Sequence, residues 1–130
     1  MACMDARLDP VRVLDLQPGD AHVIRNAGGV VTEDVIRSLV ISQQLLGTHE
    51  VVLIHHTDCG MLTVTDKALH DRVEGETGVR PPFSFLGFDD LETDVRTSIA
   101  RVRENPFLAR TRTVRGYVWE VETGRLRPVD

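Results

Sequence analysis

A chain of 130 residues and 14.5 kDa is long enough for one hydrophobic core and too short for two, so a single domain over residues 1–130 is expected. A net charge of −5 and a pI near 5.5 give no electrostatic reason to expect nucleic acid or an anionic membrane surface as partner. Apolar runs stop at about four residues, far short of the ~20 that cross a bilayer, and no charged segment leading into an apolar one opens the chain. A soluble, cytoplasmic protein is expected. Its two cysteines, Cys3 and Cys59, are too few for a disulfide scaffold, and in a reducing compartment they read as metal ligands or inert thiols.

Along the chain, strand and helix patterns alternate without a linker or repeat. After the segment Cys3-Met4-Asp5-Ala6-Arg7, Asp9-Pro10 reads as an N-cap with proline at the first helical position, opening a short helix to about Leu16 that Gln17-Pro18-Gly19-Asp20 closes. Residues 21–25 read as a strand ending at Asn26-Ala27-Gly28-Gly29, whose glycines allow a tight turn. Thr32 caps a helix with Glu33 and Asp34 in its first turn; Val35, Ile36, Leu39, Val40, Leu45 and Leu46 supply an apolar face up to Gly47. A strand over 50–56 follows, so 21–56 is a strand-helix-strand unit, which implies parallel pairing and a right-handed crossover. Thr65 caps a helix to about Glu74, and a loop with Pro81-Pro82 runs from Gly75 to Gly87. Asp89-Asp90 open a helix with Leu91, Val95, Ile99 and Val102 on one face, ended by Asn105-Pro106. A strand over 114–121, a turn at Thr123-Gly124 and a short edge over 125–127 complete the chain. The class is α/β with a mainly parallel sheet flanked by helices.

The chain is organised around Val51-Val52-Leu53-Ile54-His55-His56-Thr57-Asp58-Cys59-Gly60. Its apolar start reads as a strand buried on both faces, and such strands deliver functional groups at their C-terminal ends. His56 and Cys59, spaced H-x-x-C, suit one metal ion but supply only two ligands; Cys3, with Asp5 in reserve, completes a zinc-site hypothesis. Strand alternation sends His55 to the opposite face, into the core. His22, His49 and His70 have no ligand neighbour and read as surface or packing residues, and Asp58 reads as a cap of the turn after the strand. Arg25 and Asn26 either pin their own turn or shape a substrate pocket, and Gly60 lets substrate approach the backbone.

Cys3-x-Asp5-x-Arg7, Arg25-Asn26-Ala27-Gly28 and His56-x-x-Cys59-Gly60, in this order, resemble the β-class carbonic anhydrases, and the wording is close to a short bacterial and archaeal subgroup. The resemblance extends over essentially the whole chain. It implies one zinc ion per chain, held by Cys3, His56 and Cys59. It further implies that Asp5 either takes the fourth zinc position or swings away to pair with Arg7, making Asp5 and Arg7 the catalytic dyad. The implied reaction is reversible hydration of carbon dioxide to bicarbonate and a proton, by attack of zinc-bound hydroxide that Asp5 orients. Two thiolates cancel the formal charge of zinc, so the water is expected to titrate above the ~7 of three-histidine sites, with hydration rising in mild alkali.

Two alternatives accompany that reading: hydrolysis of carbonyl sulfide or carbon disulfide on the same scaffold, which the ligand set does not separate from CO2 hydration, and a catalytically silent zinc protein, against which the Asp5–Arg7 pair argues. The resemblance also implies a homodimer or larger homo-oligomer, and Tyr117, Val118, Trp119 and Val121 give the last long strand more apolar surface than a solvent-facing edge needs. In one subgroup of the family a tryptophan three residues before the first zinc cysteine marks a regulatory bicarbonate site, a position that falls ahead of Met1. In the family the first zinc cysteine ends a central strand, whereas only Met1 and Ala2 precede Cys3 here. A truncated central strand is therefore expected, leaving partners unpaired on strands 21–25 and 50–56. That points to a chain shortened at its N-terminus by some thirty residues, with lowered stability and a labile zinc site.

Overall fold

The computed structural model describes residues 1–129. In chain order the elements are β1 (Ala2–Cys3), α1 (Pro10–Val13), β2 (Arg25–Asn26), α2 (Glu33–Leu45), β3 (Glu50–His56), α3 (Asp66–Thr77), α4 (Leu91–Arg103), β4 (Thr113–Glu120) and β5 (Arg125–Val129). They build a five-stranded sheet in the order β2-β1-β3-β4-β5. The first four strands run parallel and β5 is antiparallel to β4. The strand-helix-strand unit over 21–56 is parallel as expected, but β2 and β3 do not touch in the ladder, because β1 lies between them.

β1 is short and central. Ala2 N donates to Ile24 O at 2.9 Å and Met4 N to Asn26 O at 2.8 Å on one side. On the other, Ile54 N donates to Met1 O at 3.0 Å and the Met1 nitrogen donates to Val52 O at 2.9 Å. The expected strand over 21–25 shrinks to Arg25–Asn26, since a strand needs a paired neighbour and β1 offers only two residues.

Capping chemistry fixes the helices. Thr32 Oγ1 accepts from Val35 N at 3.4 Å, and Asp90 Oδ1 accepts from Thr93 N at 2.7 Å. α1 is a single turn, because Leu14 leaves helical geometry and Asp15 follows at φ 51. α3 runs past the expected stop near Glu74: Gly75 is tolerated inside it, and the true stop is Gly78 at φ +77, whose N–H donates to Glu74 O at 2.8 Å. Leu45 and Leu46, expected on the buried face of α2, are 73% and 60% exposed. Gln43 is buried instead, its amide paired with the backbone of Arg110 (Nε2 to O 2.8 Å, N to Oε1 3.2 Å).

Two apolar clusters cover the two faces of the sheet. One gathers Val35, Ile36 and Leu39 of α2, Val95, Ile99 and Val102 of α4, and Val51, Leu53, Val114 and Val118 of the sheet. The other gathers Ala2, Cys3, Leu8, Val30, Ile54, Cys59 and Phe88. α4 sits close to β4 because Gly116 has no side chain: a Cβ there collides with Val95 Cγ1 and lies 2.7 Å from Ile99 Cδ1. β4 is an interior strand flanked by β3 and β5, with Val118 wholly buried and Tyr117, Trp119 and Val121 half-buried, so it is not the exposed edge the sequence suggested. Among the described residues no helix is long and apolar enough to cross a membrane.

Candidate metal centre

Two strand ends and a turn meet at one point. β1 ends at Cys3, β3 ends at His56, and the turn after β3 brings back Cys59; all three are buried, and their ligand atoms lie within 4.8 Å of one another. His56 Nε2 is 3.2 Å from Cys3 Sγ. Its Nδ1 donates to Thr57 O at 2.7 Å, which leaves the Nε2 lone pair facing the two sulfurs. Thr57 is itself tied down, its N–H to Trp119 O at 2.9 Å and its hydroxyl to Glu122 Oε2 at 2.7 Å. A backbone carbonyl leaves no mark in the sequence, and this orienting contact was not legible there.

Two free thiols and an imidazole, preoriented and buried together, are a soft donor set that fits zinc. The protons already sit unevenly. A hydrogen bond from Cys59 lowers the pKa of the Cys3 thiol, while the same contact and burial raise that of the Cys59 thiol. Burial lowers the His56 pKa, but its hydrogen bonds to Cys3 and Thr57, with the charges of Cys3 and Asp5, together outweigh this and leave it above its ordinary value.

Asp5 and Arg7 lie beside this group. Arg7 Nε donates to Asp5 Oδ1 at 2.9 Å and Nη2 to Asp5 Oδ2 at 2.8 Å, a two-pronged pair that the Arg7 N–H reinforces at 2.9 Å. These bonds hold the Asp5 carboxyl well below the usual carboxylate range. Asp5 Oδ2 is nonetheless only 3.7 Å from His56 Nε2, at the edge of the ligand group.

Arg25 pins the loop that carries these residues, not its own turn. Its guanidinium donates to Cys3 O at 3.1 Å, Asp5 O at 2.8 Å and Leu8 O at 2.6 Å. Asn26 does pin its turn, through Nδ2 to Val30 O at 2.8 Å, and its buried Oδ1 has no hydrogen-bond partner. Gly60 faces open space, with nothing within 4 Å of where a Cβ would stand. Gly28 and Gly29, at φ +78 and +71, bring the backbone close: a Cβ on Gly29 would lie 2.9 Å from Cys3 N.

The remaining polar residues fall elsewhere. His55 is buried on the opposite face, with Nε2 3.1 Å from Asp94 Oδ2 but without the alignment of a hydrogen bond. His22 meets Ser42 Oγ at 2.7 Å, and His70 bridges Asp66 O and Phe83 O. Asp58 does occupy the turn, at φ 53, yet its carboxylate also accepts from Arg7 Nη1 at 2.7 Å and its carbonyl from Arg7 Nη2 at 3.0 Å. Sequence reasoning missed this ion pair, because the partners are 51 positions apart.

A family model described as carbonic anhydrase matches residues 1–80. Over 129 residues the chain is 55% identical to β-carbonic anhydrase 1 of Mycobacterium tuberculosis, covering 99% of this chain and 79% of the relative. It is 36% identical to a carbon disulfide hydrolase of Acidithiobacillus thiooxidans, covering 98% of this chain and 74% of that one. The crystal structure of a carbonic anhydrase from Streptococcus mutans superposes with a TM-score of 0.94 at 45% identity, covering 99% of this chain and 78% of that chain. A family model over more than half of the chain, and a relative 55% identical along 99% of this chain, agree with the motifs: this chain belongs to the β-carbonic anhydrase family of enzymes.

Proposed function

We propose that this protein catalyses the reversible hydration of carbon dioxide to bicarbonate and a proton, with one zinc ion held by Cys3, His56 and Cys59. The observation that carries the reading is the juxtaposition of a buried Cys-His-Cys group with a carboxylate, Asp5, that an arginine holds at its edge. A zinc ion held there would supply Lewis acidity and lower the pKa of water at the site. The protein supplies position. Arg7 keeps Asp5 ionised and turned toward the guanidinium, where its carboxylate accepts a hydrogen bond and orients the incoming water. Met61 and Phe88, which pack against Gly28, give that side of the site an apolar wall suited to a small uncharged substrate. Asp5 also has the reach to serve as a fourth ligand when Arg7 releases it.

Zinc analysis with stopped-flow CO2 hydration tests this reading. The wild-type protein is expected to hold about one zinc per chain, and Cys59→Ser to lose most of both metal and activity. A Cys59→Ser variant with full zinc and full activity contradicts the ligand set. The carbon disulfide hydrolase relative at 36% identity favours one alternative, hydrolysis of carbon disulfide by the same groups. Identity of 55% to a carbonic anhydrase weighs toward CO2.

A further inference from the structure

We propose that Asp58 is a positioning residue that holds Arg7 on Asp5 and so keeps the Asp5 carboxylate off the ligand triad. The proposal rests on the reading that a metal ion sits among Cys3, His56 and Cys59.

Arg7 has one face for Asp5 and another that Asp5 does not use. Nε and Nη2 engage the Asp5 carboxylate, while Nη1 goes to Asp58 Oδ2 at 2.7 Å and Nη2 is shared with Asp58 O at 3.0 Å. Asp58 lies between His56 and Cys59, so Arg7 bridges the loop carrying the first ligand and the turn carrying the other two. The backbone of Asp58 is left-handed, at φ 53, a conformation that aspartate tolerates better than most side chains, and asparagine and glycine tolerate as well. A turn role alone would therefore be met by any of the three. Only aspartate places a charge against Nη1.

The same numbers exclude a stabilising role as the main one. The side chains of Arg7 and Asp58 are 47% and 71% exposed, and ion pairs so exposed contribute little to stability. What the pair controls is direction. Arg7 is a long side chain at the surface, and without the Asp58 carboxylate its Nη1 has only water to hold it. Asp5 Oδ2, 3.7 Å from His56 Nε2, then loses the competitor that draws it away from the triad. Asp58 thus acts on the site through Arg7, and touches neither ligand atoms nor substrate.

The test uses Asp58→Asn and Asp58→Gly, both compatible with the turn, in protein loaded with Co2+ in place of zinc, whose visible absorption reports the donor set. Both variants are expected to show the same spectral change, and the change is expected to vanish in an Asp5→Ala background, since it arises from the Asp5 carboxylate joining the donors. In the zinc-loaded protein, kcat for CO2 hydration is expected to fall on the order of tenfold with KM little changed, as suits loss of one charged hydrogen bond. Wild-type spectra and wild-type kcat in both variants overturn the proposal. So does a change seen with glycine alone, which would mark turn geometry, or one that persists without Asp5. Wild-type protein that binds cobalt but hydrates no CO2 overturns the carbonic anhydrase reading, and the spectra then decide on Asp58 separately. Wild-type protein that binds no cobalt at the triad overturns both.

Discussion

Arg7 is the residue at which chemistry and geometry are most tightly joined. It makes two side-chain bonds to Asp5 at once, and a lysine ammonium, a point charge on a flexible stem, cannot reproduce that fork. Arg7→Lys is expected to keep its zinc, because no ligand changes, while CO2 hydration falls roughly tenfold or more, the loss of a bidentate charged contact. Zinc analysis alongside stopped-flow rates checks this; equal rates in the two proteins count against the dyad. The grouping of Cys3, His56 and Cys59 was legible in the sequence, through H-x-x-C at a strand end together with the resemblance that C-x-D-x-R carries. Asp58 was read as a turn cap and Arg25 as either a turn residue or a pocket wall; their contacts with the loop of residues 3–8 were not legible, since each acts on it from more than ten positions away. Contacts of that kind are set by the strand order, which no local pattern records.

At the scale of elements, the close approach of α4 to β4 depends on Gly116. A Cβ there meets Val95 and Ile99 in the buried cluster, so Gly116→Ala overpacks the core and is expected to cost about 1–3 kcal/mol, seen as a lowered melting temperature. An unchanged melting temperature would mean that the helix slides without cost. The loop after α3 is held differently. The Asp66 carboxylate accepts from Ser84 Oγ and from Phe85 N at 3.2 Å, and the Ser84 bond first of all lowers its pKa below the ordinary 3.8. A carboxylate lowered by folding stabilises the native loop above its ordinary pKa, and that contribution is lost as pH falls through the native value. Pepsin cleavage around Phe83 and Phe85 is therefore expected to accelerate below pH 3.8 more in wild type than in Asp66→Asn. Parallel pH profiles for the two would contradict it. The helices were largely legible because Thr32, Thr65 and Asp90 cap them through their own side chains. Helix ends were less so: Gly75 resembled a stop, but the left-handed backbone sits at Gly78. The strand over 21–25 shrank for a non-local reason, the two-residue length of the strand beside it.

At the scale of the whole molecule, the parallel sheet brings the ends of β1 and β3 and the turn after β3 to one point, and α/β alternation made that class readable from the sequence. Strand order was not readable, and it is what seats β1 in the middle and the Cys3–His56–Cys59 group at the sheet's C-terminal edge. We propose assembly at least to a homodimer: Met4, between Cys3 and Asp5, is 63% exposed, an apolar side chain where a second copy would cover it. Sedimentation at micromolar concentration is expected to give a mass at least twice the chain's 14.5 kDa. A species of 14.5 kDa alone would count against the dimer. The central claim is that the site hydrates CO2, and the most direct measurement compares initial rates of the zinc-loaded protein with CO2, by stopped-flow, and with carbon disulfide, by sulfide release. Rapid bicarbonate formation with negligible sulfide is the expected result; sulfide release with no detectable CO2 hydration would contradict it.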